Sequence, residues 1–201
     1  MRRFLAWSAV AAVVIGAAVV VVTGVSDHSR SDATAIPGCD EVVEPDDTHN
    51  IDYSFIEDRR YADSDYGWFS DTKAVNMSDA LRAALPADTE VLPYSITPPL
   101  QFQPFGSETT AQALVALRGE EGDLTVVVQR SDTPAGPCIT GYVQERRTLD
   151  DGTIIDTSDN ENGRRARAYT SDGSLIDVSI TGALTVEQLA DIAAEPGLRT
   201  H

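Results

Sequence analysis

The run from Phe4 to Val25 holds 22 residues without a charge, most of them Ala or Val. A chain carrying such a run must bury it in a core or place it in lipid. As an α-helix rising about 1.5 Å per residue it would reach about 33 Å, enough to cross a hydrocarbon layer of roughly 30 Å. The apolar region of a secretory signal is shorter, roughly 7–15 residues, so the length favours a retained anchor over a cleaved leader. Arg2 and Arg3 precede the run and should hold that end in the cytoplasm. The expected topology is a single transmembrane helix with everything after Val25 outside. Two processing motifs fail on position. Ala33-Thr34-Ala35 has the small-x-small form of a cleavage site, but Asp27, His28, Arg30 and Asp32 separate it from the apolar run. Ile36-Pro37-Gly38-Cys39 has the look of a lipobox, but Cys39 stands 14 residues beyond Val25 across the same charges.

Charge narrows the choice of partners. The chain has 15 basic and 32 acidic residues, a net charge of −17. Affinity for nucleic acid comes from clustered Lys and Arg, so no nucleic-acid partner is expected. Beyond residue 30 there remain 12 basic and 31 acidic residues, a part that anionic lipid repels and that cationic peptides or basic proteins attract. Solubility at a salty cell surface is the plainer use of that charge. The two cysteines, Cys39 and Cys138, are expected to pair as one disulfide in an oxidising compartment. Two distant cysteines without accompanying histidines do not make a metal site.

The outer part divides into a tether and a domain. Residues 26–50 are polar, hold Pro37 and Pro45, and carry Asp40, Glu41, Glu44, Asp46 and Asp47; they read as an acidic flexible tether after the anchor of residues 1–25. Residues 51–201 read as the domain. Met77 to Leu85 is expected to be a short helix capped by Asn76 or Ser78 and stopped by Pro86. Glu90 to Ile96 is β-rich, with Pro93 confining it to an edge. Three hairpins follow: Gln112–Arg118 with Leu124–Arg130, Tyr142–Leu149 with Thr153–Thr157, and Arg165–Thr170 with Leu175–Ile180. The last two turn at Asp151-Gly152 and Asp172-Gly173, where Gly accepts the positive φ of a tight turn. Thr185 and Gln188 have the spacing of a capping box, with Leu184 and Leu189 placed as a hydrophobic staple and Pro196-Gly197 beyond the helix end. That helix is too short to stand alone, so Leu189 and Ile192 must face the sheet. The fold class expected is α+β: a single antiparallel meander sheet with short helices on one face, preceded by the transmembrane helix.

The segments Arg165-Ala166-Arg167-Ala168-Tyr169, Asp172-Gly173-Ser174, Gly182-Ala183-Leu184-Thr185-Val186-Glu187-Gln188-Leu189-Ala190-Asp191-Ile192-Ala193 and Pro196-Gly197-Leu198 cover about the last 35 residues. Over that stretch the chain resembles uncharacterised membrane-anchored extracytoplasmic proteins of high-GC actinobacteria. The resemblance implies a location in the cell envelope and carries no activity.

Signals for catalysis are sparse. The histidines are His28, His49 and His201, and of these only His49, beside the acidic patch at the domain's edge, could serve with a nucleophile and an orienting group. There is no Gly-x-Ser-x-Gly elbow, no phosphate loop and no dinucleotide fingerprint, so no cofactor is expected. Asp156 to Gly163 has a surface likeness to a calcium loop, but placing Gly163 at its sixth position leaves Ser158 and Tyr169 where carboxylates are needed; a polar loop between strands is the preferred reading, and no metal is expected. The most unusual local feature is aromatic. Tyr53, Phe55, Tyr61, Tyr66, Trp68 and Phe69 crowd into 17 residues among Glu57, Asp58, Arg59, Arg60, Asp63 and Asp65. Such rings serve a core or a contact surface. In an extended strand Tyr66 and Trp68 share a side while Phe69 points away, so Tyr66 and Trp68 are the candidate binding pair.

Together these features point to a non-catalytic cell-envelope protein, a single-span anchor displaying a small acidic interaction domain outside the membrane to an envelope protein or a glycan. One alternative is an extracytoplasmic hydrolase acting on the cell wall or an extracellular substrate. Another is an accessory subunit of a membrane complex, paired through the small residues Ser8, Ala12, Gly16 and Gly24 on one helical face.

Overall fold

A computed structural model describes residues 35–45, 67–93, 98–105 and 108–201. The Phe4–Val25 run, His28, His49 and Tyr66 lie outside the described residues. Among those described, no helix is long and apolar enough to cross a membrane.

Ten strands and two α-helices follow one another as β1 (Val42–Val43), α1 (Asp71–Ala84), β2 (Glu90–Leu92), β3 (Gln103–Phe105), β4 (Glu108–Leu117), β5 (Glu120–Arg130), β6 (Cys138–Ile139), β7 (Glu145–Thr148), β8 (Ile154–Asn160), β9 (Gly163–Tyr169), β10 (Ser174–Ile180) and α2 (Val186–Ala193), with a 3-10 turn at Pro196–Leu198. Eight strands form one antiparallel sheet in the order β2-β4-β5-β10-β9-β8-β7, with β3 also on β4. The α+β class and the antiparallel sheet agree with the sequence; the simple meander does not. β7 to β10 run as a meander whose last strand docks on β5, so β10 sits between β5 and β9. Chemistry explains the order. Strand β10, Ser-Leu-Ile-Asp-Val-Ser-Ile, is apolar enough to be central, whereas β7, Glu-Arg-Arg-Thr, carries the charge that suits an edge. Residues 131–144 must therefore cross from β5 to the far edge.

The hairpins are tighter and more numerous than the sequence led us to expect. β4 and β5 turn on Arg118 and Gly119 alone, both at positive φ (54° and 88°), as a two-residue hairpin turn requires. The stretch Asp156–Asn160, expected to be loop, is part of β8 and turns into β9 across Glu161 and Asn162. Helix α1 begins six residues before the expected start: Ser70 is its N-cap and accepts from the Lys73 N–H at 3.2 Å. Ser78 instead lies within the helix, donating to the Ala74 carbonyl and accepting from the Phe102 N–H. Helix α2 has the expected capping box at Thr185 and Gln188.

One face of the sheet carries the core. Ala111, Ala113 and Val115 of β4, Leu124, Val126 and Val128 of β5, Ala166 and Ala168 of β9, and Ile176, Val178 and Ile180 of β10 alternate inward, the period expected of strands with one buried side. Leu189, Ile192, Met77 and Leu81 from the two helices join them in a single cluster with Leu184 and Leu198. The 3-10 turn approaches α1 so closely that a Cβ at Gly197 would fall 2.4 Å from Ala80 Cβ.

A second, two-stranded sheet was not anticipated. β1 pairs in parallel with β6, Val42 opposite Cys138, and the Cys39–Cys138 disulfide joins the same segments with a Cα–Cα distance of 6.1 Å. Thus Ala35 to Pro45, within the stretch expected to be a tether, belongs to the domain, with Ile36 buried. The Arg146 N–H of β7 donates to the Pro37 carbonyl. At Gly38 (φ 76°) a Cβ would overlap the Arg146 carbonyl, 1.8 Å away, so only glycine fits. The bridge closes a loop of 99 residues, for which the chain-entropy model allows up to roughly 4–5 kcal/mol.

Replacing Leu189, fully buried between α2 and the sheet, with Ala should destabilise the domain by about 2–5 kcal/mol; urea denaturation of the oxidised protein measures it, and an unchanged midpoint would mean that α2 is not docked. A pH effect follows from Asp151, which accepts from Arg199 and the Thr153 N–H. These bonds, that from Arg199 foremost, lower its carboxyl from 3.8 to about 2. A depressed carboxyl stabilises the fold above its unfolded value and loses that contribution as pH falls through the folded one. The melting difference between the parent and Asp151→Asn should be constant near neutrality and vanish as pH drops from about 4 to 2.

Candidate functional site

The other face of the sheet is polar, and its charges are ordered. Register places Arg146 of β7 opposite Asp156 of β8, Asp156 opposite Arg167 of β9, and Arg167 opposite Asp177 of β10. The result is a cross-strand ladder of alternating sign over four strands, in which opposite charges directly paired across strands contribute about 0.2–1 kcal/mol each. Its members arise from plain alternation. In Arg165-Ala-Arg167-Ala-Tyr169 the alanines enter the core while the two arginines and the tyrosine stand on the outer face.

Hydrogen bonds make two clusters of the ladder. Arg146 donates to both oxygens of Asp156, Nε to Oδ1 at 2.6 Å and Nη2 to Oδ2 at 2.7 Å, and gives Nη1 to the Gly136 carbonyl at 2.8 Å. Both side chains are nearly buried, 13% and 10% exposed. The Arg146 guanidinium is held above its ordinary value, chiefly by its bonds to Asp156. Asp177 is shared. Arg167 donates Nε and Nη2 to its Oδ2 at 2.8 and 2.6 Å, and Arg165 donates Nε to Oδ1 at 2.6 Å and Nη2 to Oδ2. Burial works to lower the Arg167 guanidinium, and the charge and hydrogen bonds of Asp177 together with Tyr169 more than offset it. Glu108, on the neighbouring part of the face, is pushed up by burial and by the Asp177 charge. Arg165 and Arg167 keep 46% and 36% of their side chains exposed.

The crossover of residues 131–144 passes over this face, and between the two lies a groove of about 580 Å3, within the roughly 300–1,000 Å3 usual for ligand sites. Strands β5, β10, β9 and β8 supply its floor; Ile139 and Tyr142 stand on its wall, 37% and 64% exposed. The lining contains Arg146, Arg165 and Arg167 with the acidic residues Asp123 and Asp156; Arg164 lines it too, but its guanidinium donates to Asp159 and to the Leu184 carbonyl. The disulfide fixes the wall: Cys138 lies in it fully buried, and its N–H and that of Thr140 donate to the Glu41 and Val43 carbonyls.

The sites expected from sequence are elsewhere. Trp68 is half-buried against the core. It does not point away from Phe69, as a strand would require; both rings pack on the core and meet edge to face at 5.6 Å and 76°, because residues 67–68 form a turn rather than a strand. Its companion Tyr66 is outside the described residues, as is His49. The described histidine, His201, lies against Arg130 and the Asp172 carbonyl. Among the described residues no group of three or more His, Cys, Asp or Glu is placed to hold a metal ion. Asp156, the first residue of the stretch compared with a calcium loop, is engaged with Arg146. The arginine groove was missed, although two signals for it stand in the sequence: the Arg-x-Arg-x-Tyr alternation and an aspartate, Asp177, inside an otherwise apolar strand.

No family model, curated protein or solved structure matches this chain.

The two clusters should respond differently to mutation. Arg146→Met strands a nearly buried Asp156 and should cost about 3–5 kcal/mol, while Arg165→Met, at a half-exposed pair whose carboxylate keeps Arg167, should cost about 1 kcal/mol or less. Urea denaturation of both variants checks the ranking; equal losses would mean that the ladder is not organised as two clusters.

Proposed function

We propose that this protein is a non-catalytic envelope protein, anchored by one span at Phe4–Val25, that displays an acidic interaction domain outside the membrane and meets its partner, an envelope protein or a glycan, through the groove on the outer face of the sheet. The observation that carries the reading is the Cys39–Cys138 bridge, buried at Cys138 and closing the structure on which the groove wall rests. Such bonds persist outside the cytoplasm and are rare within it. The uncharged run preceded by Arg2 and Arg3 supports the same side of the membrane.

The groove supports binding rather than turnover. Apart from Asp123, its ionic side chains are engaged with one another: Asp156 holds Arg146, and Asp177 holds Arg165 and Arg167. Carboxylates held by guanidinium groups in this way are poor general bases, whereas guanidinium donors fixed at one end are prepared to take an acceptor at the other.

Protease added to intact protoplasts should digest the domain while a cytoplasmic marker survives, and thiol labelling of the undigested protein before reduction should leave both cysteines unmodified. Full protection of the domain, a mature N-terminus near Ile36, or two free thiols would each overturn the reading.

A further inference from the structure

Resting on the reading of this domain as a binding module, we infer that the ligand of the groove is an acidic saccharide, a sugar whose ring bears a carboxylate. Three features of the groove point to that chemistry.

The first is charge. Arg146 and Asp156 neutralise one another, but Arg165 and Arg167 share the single carboxylate of Asp177. Within that cluster the guanidinium groups outnumber the carboxylate, with Glu108 on the neighbouring part of the face and Asp123 elsewhere in the lining, and Arg165 is its more exposed member. Arg165 commits Nε and Nη2 to Asp177 and makes no other hydrogen bond among the described residues, so its Nη1 edge is available. A planar fork of this kind matches a carboxylate.

The second feature is the lining. Thr125, Ser158, Ser179 and Asn160 present hydroxyls and an amide into the groove, and Asp123 lines it as an acceptor with no salt bridge among the described residues. A purely apolar acid would leave these groups without partners as it displaced their water, which costs free energy for each group left unmet. A sugar brings hydroxyls that both donate and accept. Asp123, which would repel a simple anion, becomes an acceptor for such a hydroxyl.

The third feature is the wall. Tyr142 is the most exposed large apolar side chain among the described residues, 64% accessible, and it lines the groove with Ile139 beside it. An exposed aromatic ring over a polar floor provides a flat apolar face for the C–H side of a sugar and a hydroxyl for its edge. The ring and the Arg165–Arg167 pair come from different segments, the crossover and β9, and the crossover is tied to the sheet by Arg146 through the Gly136 carbonyl.

The test is calorimetric titration of the full chain, oxidised and in non-ionic detergent, with digalacturonate, its dimethyl ester and acetate. Digalacturonate should bind about tenfold or more tighter than either of the others, and less tightly as salt is raised. Arg165→Met should abolish the preference for the acid over the ester. Tyr142→Ala should weaken digalacturonate and ester together and leave acetate as it was. Both positions are exposed, and a cooperative melting transition well above the titration temperature shows that the variants are folded. Ester binding equal to acid removes the carboxylate from the inference, acetate binding equal to digalacturonate removes the sugar, and no saturable binding of digalacturonate at millimolar concentration removes both. Because the protein is purified, none of these outcomes bears on its location in the cell. Cleavage of digalacturonate would support the saccharide and overturn the non-catalytic reading, so the two fail separately.

Discussion

Strand β10 bonds along both edges, to β5 from Ser174 to Ile180 and to β9 from Leu175 to Ile180. Without the first of these pairings the molecule would be two ribbons, one built on β4 and β5 and one on β7 to β9, each with half a core. Joining them puts Ile176, Val178 and Ile180 beside Val126, Val128 and Leu124, and it is on this continuous apolar surface that α2 lies. The same pairing fixes the outer face, because the residues between the apolar ones are Asp177 and Ser179. A slip of one residue would bury Asp177 and expose its neighbours, so the charge ladder and the core specify one register between them.

Cross-strand ion pairs of this exposure add little net stability. Their value here is positional. Asp177 holds two guanidinium groups in place on a rigid floor, Arg146 ties that floor to the Gly136 carbonyl of the crossover, and the crossover is tied in turn to the N-terminal segment by two parallel strands and a covalent bond. The groove wall is thus tied down at Gly136 and Cys138, which lowers the ordering cost that a ligand would otherwise meet.

Much of the scaffold was legible. The capping box of α2, the buried pair Leu189 and Ile192, the Asp-Gly turns and the edge position of β2 follow from local chemistry and appear as expected. What could not be read depends on pairings between distant segments. Nothing local says that β10 joins β5, and the crossover and groove exist only because it does. Local cues also misled where contacts between elements overrode them: Ser78 looks like a cap but is fixed inside α1 by the Phe102 N–H, and the polar run from Asp156 looks like a loop but pairs its carboxylates with Arg146 and Arg164 on the strands to either side. The disulfide was legible from two cysteines and a compartment argument; the parallel strand pair that accompanies it was not.

The placement of β10 has a consequence for how the chain is made. Residues emerge in order, and the strand at the centre of the sheet is the last of the described strands to appear, ahead of α2 and the 3-10 turn. Until then β5 presents an unpaired edge rich in valine, Val126-Val127-Val128, the kind of edge on which other chains add strands. Cys39 waits through a further 99 residues for its partner. The domain is thus assembled from the outside inward in time, its centre filled last. Its heavy negative charge, which repels a second copy of the same nascent chain, then acts as protection during synthesis as well as a property of the finished surface.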